Sequence, residues 1–178
     1  MVAAVTDLDG QITGVHRIWL DPSGADKAPI DTPRRAMGHL LGHGVRFGMA
    51  EKPAPALADV LAAGEGIETM LSLRVALPLM PIVAALSANH LAAILFPPSL
   101  RRLYIARDAD PAGDGAMERL ADRARQAGID PITLSPTLQD FDEDLRHLGI
   151  EHVRAAVRIL LAPQDVVRFM SWTRPGTE

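Results

Sequence analysis

Leu103-Tyr104-Ile105-Ala106-Arg107-Asp108-Ala109-Asp110-Pro111-Ala112-Gly113 reads as a short apolar strand that runs into two acids and then into a proline suited to the start of a helix. Outward from this stretch, the residues from Ala56 onward alternate short apolar runs with helical segments, the signature of βαβ units and a mostly parallel sheet. Strands are expected at Leu57–Ala63, Ile82–Leu86, Leu103–Ala106 and Ile132–Leu134. Helices are expected near Ile67–Ala76, Ala88–Leu95 and Gly113–Gln126, the last stopped by Ala127-Gly128. Glu151–Leu161 places Val153, Ala156, Val157 and Leu160 on one face and reads as a final helix packed on the sheet. The expected fold class is α/β, a mostly parallel four-stranded sheet flanked by helices.

The first quarter has a different pattern. Val2–Leu8 and Gln11–Leu20 are rich in β-formers around Asp9-Gly10, which favours a tight turn, so a two-stranded ribbon is expected. A polar run with Pro22, Gly24, Pro29 and Pro33 reads as an exposed loop, and a glycine-punctuated segment, Gly38–Gly44, leads into Val45-Arg46-Phe47. Lys52-Pro53-Ala54-Pro55 marks a boundary. The expected organisation is a small β-rich N-terminal subdomain with basic loops at 1–52, a catalytic domain at 53–165 and a C-terminal tail at 166–178.

Composition excludes several classes of chemistry. The chain has 178 residues, 48% of them hydrophobic and 22% charged, which is ordinary for a folded domain. It has no cysteine, so disulfides, thiolate-bound zinc and cysteine nucleophiles are excluded, and a cytoplasmic setting is the simple expectation. The N-terminal ten residues lack a basic start and contain Asp7 and Asp9, unlike a secretory signal, and no long apolar run suggests a membrane span. The formal charge of −4 is not that of a protein gripping duplex DNA by itself, although Lys27, Arg34, Arg35 and Arg46 make the early loops basic.

In a parallel α/β sheet, ligands bind at the carboxyl ends of the strands, which gives weight to acids placed there. Glu65 follows the first such strand, Asp108 and Asp110 the third, and the cluster Asp140-Phe141-Asp142-Glu143-Asp144 the fourth. Acids one residue apart at a strand end can turn both carboxylates to one metal ion that keeps waters and takes phosphate oxygens as further ligands. Oxygen donors suit magnesium or manganese. Glu65 would complete the site as a metal ligand or as a base for an attacking hydroxyl. Glu68, Asp142 and Asp144 are secondary acids, and each equally fits a first-turn helix position. Arg107 fits a carboxylate partner or a phosphate contact, and Lys27, Arg34, Arg35 and Arg46 fit solvated loops or nucleic-acid contacts. His39 and His43 are four apart, but Gly42 and Gly44 argue against the helix a zinc pair would need. Trp19, Phe47 and Tyr104 are the few aromatics that could stack on bases, with burial in the core the plainer use.

Gly64-Glu65-Gly66-Ile67-Glu68-Thr69 followed by Tyr104-Ile-Ala-Arg-Asp108-Ala-Asp110-Pro-Ala-Gly113 resembles the Toprim domain shared by primases, topoisomerases and some nucleases. Leu86-Ser-Ala-Asn89 and Asp140-Phe-Asp-Glu-Asp-Leu145 are most similar to segments of plasmid and phage primases. The resemblance runs well from Leu57 to Leu148 and more loosely through Gly14–Arg17, Lys27-Ala28, Pro33–Arg35 and Gly44–Arg46. It implies a Rossmann-like Toprim fold, a conserved glutamate at Glu65, metal-binding aspartates at Asp108 and Asp110, and Mg2+ or Mn2+ as cofactor. It departs at Thr69, where many bacterial primases carry an acid, and at Gln139, where a lysine is common. The implied activity is nucleotidyl transfer on nucleic acid as one part of a primase system. Its partners would be a single-stranded DNA template, nucleoside triphosphates, and helicase or other primase modules on separate chains. A Toprim nuclease and a non-catalytic module that binds nucleic acid or a replication partner are the rivals. No P-loop for a helicase motor is present. Tyr104, the only tyrosine, lies in a strand and is poorly placed as a topoisomerase nucleophile.

Overall fold

A computed structural model describes residues 1–24, 26–48 and 58–170. Eight strands and six helices follow one another: β1 (Val2–Thr6), β2 (Ile12–Ile18), β3 (Arg34–Gly38), β4 (Val45–Phe47), β5 (Val60–Gly64), α1 (Ile67–Ala76), β6 (Ile82–Ala84), α2 (Ala88–Ala93), β7 (Arg102–Ala106), α3 (Pro111–Gln126), β8 (Asp130–Leu134), α4 (Phe141–Leu148), α5 (Ile150–Leu160) and α6 (Pro163–Met170). The large sheet has the order β4-β6-β5-β7-β8 and is parallel except for β4.

Strand alternation divides the core into two layers. Val60, Ala62, Tyr104 and Leu134 face α1, α4, α5 and α6, where they pack on Met70, Leu73, Phe141, Val153, Val157 and Phe169. Leu61, Ala63, Leu103 and Ile105 face α2 and α3 and meet Leu91, Ala116, Leu120 and Ala124. With helices on both faces, the central strands carry almost no polar residue, as parallel sheets require. Three of the helices, α2, α3 and α4, start on side-chain caps: Ser87 accepts from the His90 amide at 3.3 Å, Asp110 from Gly113 at 2.7 Å, and Asp140 from Glu143 at 2.8 Å.

The four strands expected from sequence are present, and β4 adds a fifth. It is antiparallel to β6, a pairing of distant segments that local periodicity does not encode. The expected two-stranded ribbon is a three-stranded antiparallel sheet, β1-β2-β3, because the arginine-rich segment after Pro33 pairs with β2. β3 is exposed along its whole length, so it lacks the apolar alternation that marks a strand. The small sheet rests on the α1 side of the molecule through Val5 and Ile18. It is joined to β4 by reciprocal backbone hydrogen bonds between Thr6 and Gly44, 3.0 and 3.3 Å.

Residues 166–170 of the expected tail form the later turns of α6, anchored by the buried Phe169, while 171–178 lie outside the described residues. The boundary at Lys52–Pro55 and the start of the first parallel strand at Leu57 also lie outside them. One buried and one exposed contact hold α6. Asp165, 2% exposed, accepts from the Tyr104 hydroxyl at 2.7 Å and from Arg102 at 3.1 Å. The Arg168 guanidinium grips both oxygens of Asp59 at 2.7 and 2.9 Å. No described helix is long and apolar enough to cross a membrane.

Candidate active site

β5 and β7 are neighbours in the sheet, so the loops at their carboxyl ends lie side by side and bring Glu65 beside Asp108 and Asp110. The Glu65 backbone carbonyl accepts from the Leu86 amide at 2.8 Å, and its carboxylate takes the Ala88 amide. Leu86 has φ +79°, a left-handed conformation that costs an ordinary side chain about 1–2 kcal/mol. That turn reverses the chain out of β6 and aims the start of α2 at Glu65.

The Asp108 loop is equally tight. Its carbonyl accepts from the Asp110 amide at 2.9 Å, and a Cβ on Gly113 would lie 2.5 Å from that carbonyl oxygen, so only glycine fits there. The Ala109 amide donates to the Gln139 carbonyl at 2.8 Å, and the Gln139 side chain returns a bond to Ala109 at 3.2 Å. These bonds draw the loop after β8 onto the loop after β7 and bring Asp140 into the field of Asp108. Asp140 is the site acid that sequence reasoning passed over in favour of Asp142 and Asp144. It was named there only as part of the acid cluster after the fourth strand, and the structure makes it the helix cap of α4.

Burial, followed by the negative charges of Glu65, Asp140 and Asp110, pushes the Asp108 carboxyl up to about 7. Glu65 is also raised, by burial and then by Asp110, against the opposing Ala88 amide and the charge of Arg34. Asp108 Oδ1 is buried and has no hydrogen-bond partner among the described residues. A buried carboxylate oxygen within the field of three other acids is suited to a cation. Among the described residues, however, no group of three acidic or histidine side chains is placed to hold a metal ion by itself. An open, oxygen-only arrangement is what magnesium tolerates, because it retains waters and accepts phosphate oxygens. What fits a divalent ion here is the oxygen-only donor chemistry and the unpartnered Asp108 oxygen.

The other expected site residues are distributed unevenly. Glu68 pairs with Arg34 at 2.7 Å. Burial would raise its pKa, but the Arg34 hydrogen bond, its own backbone amide, and the charges of Arg34 and Lys27 together hold it below the usual value. Lys27 lines a cleft with Glu68, Asp142 and Arg146. Asp142 accepts from Ser72 at 3.1 Å and lies 3.7 Å from Arg146. Asp144 is fully buried, its two oxygens taking the amides of Thr137 and Leu138 at 2.8 Å each, which fixes the turn before α4. Arg107 pairs with Asp114 of α3, and Arg35 is hydrogen-bonded to Thr32. The three guanidinium nitrogens of Arg46 are buried without a partner among the described residues. Burial lowers its pKa to about 10 against the opposing charge of Asp7. His39 and His43 meet as a ring pair 5.3 Å apart, with His43 bonded to Thr13. Tyr104 is buried in the α6 contact, and Trp19 is partly exposed.

A family model described as the Toprim domain matches residues 60–151, and one described as a domain of unknown function, DUF7146, matches residues 1–47. No curated protein matches the chain. Among solved structures, the chain is similar to the zinc-binding and RNA polymerase domains of the Aquifex aeolicus primase, with 21% identity and a TM-score of 0.59 over 89% of this chain and 39% of that one. It is similar to the primase fragment of the bacteriophage T7 primase-helicase protein, with 17% identity and a TM-score of 0.60 over 88% of this chain and 62% of the fragment. A DNA primase domain from Pseudomonas aeruginosa matches at 19% identity and a TM-score of 0.55, over 86% of this chain and 49% of that one. The chain thus spans less than two thirds of each of these structures, and at such identities the likeness is one of fold. The Toprim match covers more than half of the sequence, including Glu65, Asp108, Asp110 and Asp140, and the chain belongs to the Toprim domain family.

Proposed function

We propose that the chain is the Toprim part of a primase-type nucleotidyltransferase, which joins nucleoside triphosphates on a single-stranded DNA template in the cytoplasm. The observation that carries this reading is the unpartnered Asp108 Oδ1, buried among Glu65, Asp110 and Asp140. Asp108 and Asp110, with Glu65 and Asp140 beside them, would hold Mg2+ or Mn2+. When bound, the ion supplies positive charge against the triphosphate and the pentacovalent phosphorus. The protein's own contribution is placement. The Gly113 contact and the Ala109–Gln139 bonds fix the aspartates, and the Leu86 turn fixes Glu65. Glu65, with its raised proton affinity, is suited to receive the proton of an attacking 3′-hydroxyl. Lys27, in the cleft beside Glu68, and the exposed Arg35 are available for phosphates, while Arg34, Arg107 and Arg46 are committed to Glu68, to Asp114 and to burial respectively.

This reading keeps a small N-terminal unit beside a catalytic one, with the Thr6–Gly44 bridge as the seam, and leaves template-reading or motor modules to other chains. The test supplies single-stranded DNA, nucleoside triphosphates and manganese, then scores extended against shortened strands. Template-dependent products that disappear in Asp108→Ala plus Asp110→Ala support priming. Metal-dependent shortening of the DNA would favour a nuclease, and neither product, with unchanged manganese affinity in the double variant, would sink the site.

A further inference from the structure

We propose that β3 is the contact between two copies of this chain, paired with itself antiparallel about a two-fold axis at Ala36. The pairing joins the small sheets of both copies into one continuous sheet, and it does not depend on which reaction the acids perform. β3 lies at one end of the order β1-β2-β3. Its inner side is bonded to β2: the Pro33 carbonyl accepts from the Trp19 amide at 2.9 Å, and the His39 amide donates to the Thr13 carbonyl at 2.8 Å. Across a trans peptide the N–H and C=O point opposite ways. The Arg34 amide and the Gly38 carbonyl therefore point away from β2, and the alternation of an antiparallel ladder turns the backbone groups of Arg34, Ala36 and Gly38 to the open side. Among the described residues no backbone bond is made from that side.

Three observations make a second copy the partner. The first is self-complementarity. With Ala36 opposite Ala36, Arg34 of each copy faces Gly38 of the other, and every outward amide meets an outward carbonyl. Charge fits the same register, since Arg35 then faces Met37 and Arg34 faces a residue without a side chain. A shift that set Arg35 against Arg35 would oppose like charges and leave the Gly38 groups unpaired. The second is the contrast between the two edges of the sheet. β1 has a register shift between Val5 and Thr6 and is bonded to Gly44, whereas β3 pairs with β2 without irregularity and contains no proline. Its arginines are the one feature that discourages pairing, and the symmetric register keeps them apart. The third is access. The Ala36 side chain lies on the same side of the sheet as that of its neighbour His16, which is buried against the molecule, yet Ala36 is exposed, so the body of the protein does not shield the edge. Met37, on the other side, is 57% exposed. A two-fold between antiparallel strands stands perpendicular to the sheet, so both copies present their acid sites on the same side of it.

The test is sedimentation velocity of the full chain at about 1 µM and about 300 µM. So short an edge is small beside the roughly 1,200–2,000 Å² buried in stable complexes, so the dimer is expected at the higher concentration and the monomer at the lower. Ala36→Pro removes the outward amide at the axis without touching a bond to β2, a position where an edge strand accepts proline. It should be monomeric at both concentrations with an unchanged circular dichroism spectrum. A second pair of variants fixes the register and does not rely on that substitution. The chain has no cysteine, so Ala36→Cys introduces a single thiol. Opposed Cα atoms of a hydrogen-bonded pair lie about 5.5 Å apart, within the span of a disulfide, and incubation with oxidised glutathione should give a covalent dimer. In Met37→Cys the two thiols belong to Cα atoms more than about 7 Å apart, and the covalent dimer should be lost. The proposal is overturned if the unsubstituted protein stays monomeric at the higher concentration, or if the two cysteine variants cross-link equally. A dimer that survives Ala36→Pro with the native spectrum places the contact elsewhere and overturns it too.

Discussion

Replacing Asp108 by asparagine should make the protein more stable at neutral pH while disabling it, and the pH at which the gain appears is fixed by the site. The Asp108 carboxyl rises from 3.8 in an unstructured chain to about 7 in the fold, a difference worth roughly 4 kcal/mol between its charged and neutral forms. Screening through the open side of the site, where Asp110 is exposed, reduces the usable part to about half, roughly 2 kcal/mol. The sign follows from linkage. Between about pH 4 and pH 7 the folded state holds a proton that the unfolded chain has released, so this group makes stability fall as pH rises through that window, after which the penalty is constant. Asp108→Asn removes the penalty. Its melting temperature should match that of the unsubstituted protein near pH 4 and exceed it at pH 8 by about 4–8 °C. Manganese should stabilise the unsubstituted protein at pH 8 and leave Asp108→Asn unmoved, since only a species that binds the native state shifts the equilibrium. Thermal melts followed by circular dichroism, in EDTA and in manganese, make the comparison. An equal gain at both pH values, or none at pH 8, would refute the electrostatic account.

Gly113→Ala should displace the Asp108 loop, because its Cβ would meet a backbone oxygen at 2.5 Å. Product formation should fall about 10²-fold while the far-ultraviolet spectrum is kept, and retained activity would show that the loop has slack. Asp165→Ala should cost about 1–3 kcal/mol, because the buried Tyr104 hydroxyl loses its acceptor, although it keeps the Ala162 amide and Arg102 keeps Asp130. Amide exchange in α6 should rise with it, and unaltered exchange there would show that the helix is held by packing alone. Arg34→Ala should change stability by no more than about 1 kcal/mol, given that its partner Glu68 is only partly covered. A larger loss in a denaturant melt would assign the pair a structural duty.

The parallel part of the fold was legible because its information is local. The apolar runs in Val60–Gly64 and Arg102–Ala106 and the proline after Asp110 each announce their element within a few residues. Glu65, Asp108 and Asp110 were legible for the same reason, as acids that follow strands. What escaped is non-local. β3 has no buried side, β4 gains its place from β6, and α6 is held by residues on two distant strands. Asp140 was one of three aspartates in a single cluster, and only the pairing of the loop after β8 with the loop after β7 selects it. Asp144, an acid in a first turn, gives no hint in sequence that two backbone amides enclose it.

The Arg168–Asp59 fork also bears on how the chain reaches its native state. The two residues are 109 positions apart, and closing a loop of that length costs on the order of 4 kcal/mol in chain entropy. A contact with so large an entropic debt is not a nucleus; it forms after the βαβ units have already brought its ends together. Interactions that are absent from the folding transition state act chiefly on the rate of unfolding. Whatever the clasp of α6 on the start of β5 contributes, no more than about 1 kcal/mol for so exposed a pair, therefore falls on the rate of unfolding more than on the rate of folding. The same molecule carries a candidate site whose crowded acids work against the fold, and the clasp lies at the opposite end of the sheet from them.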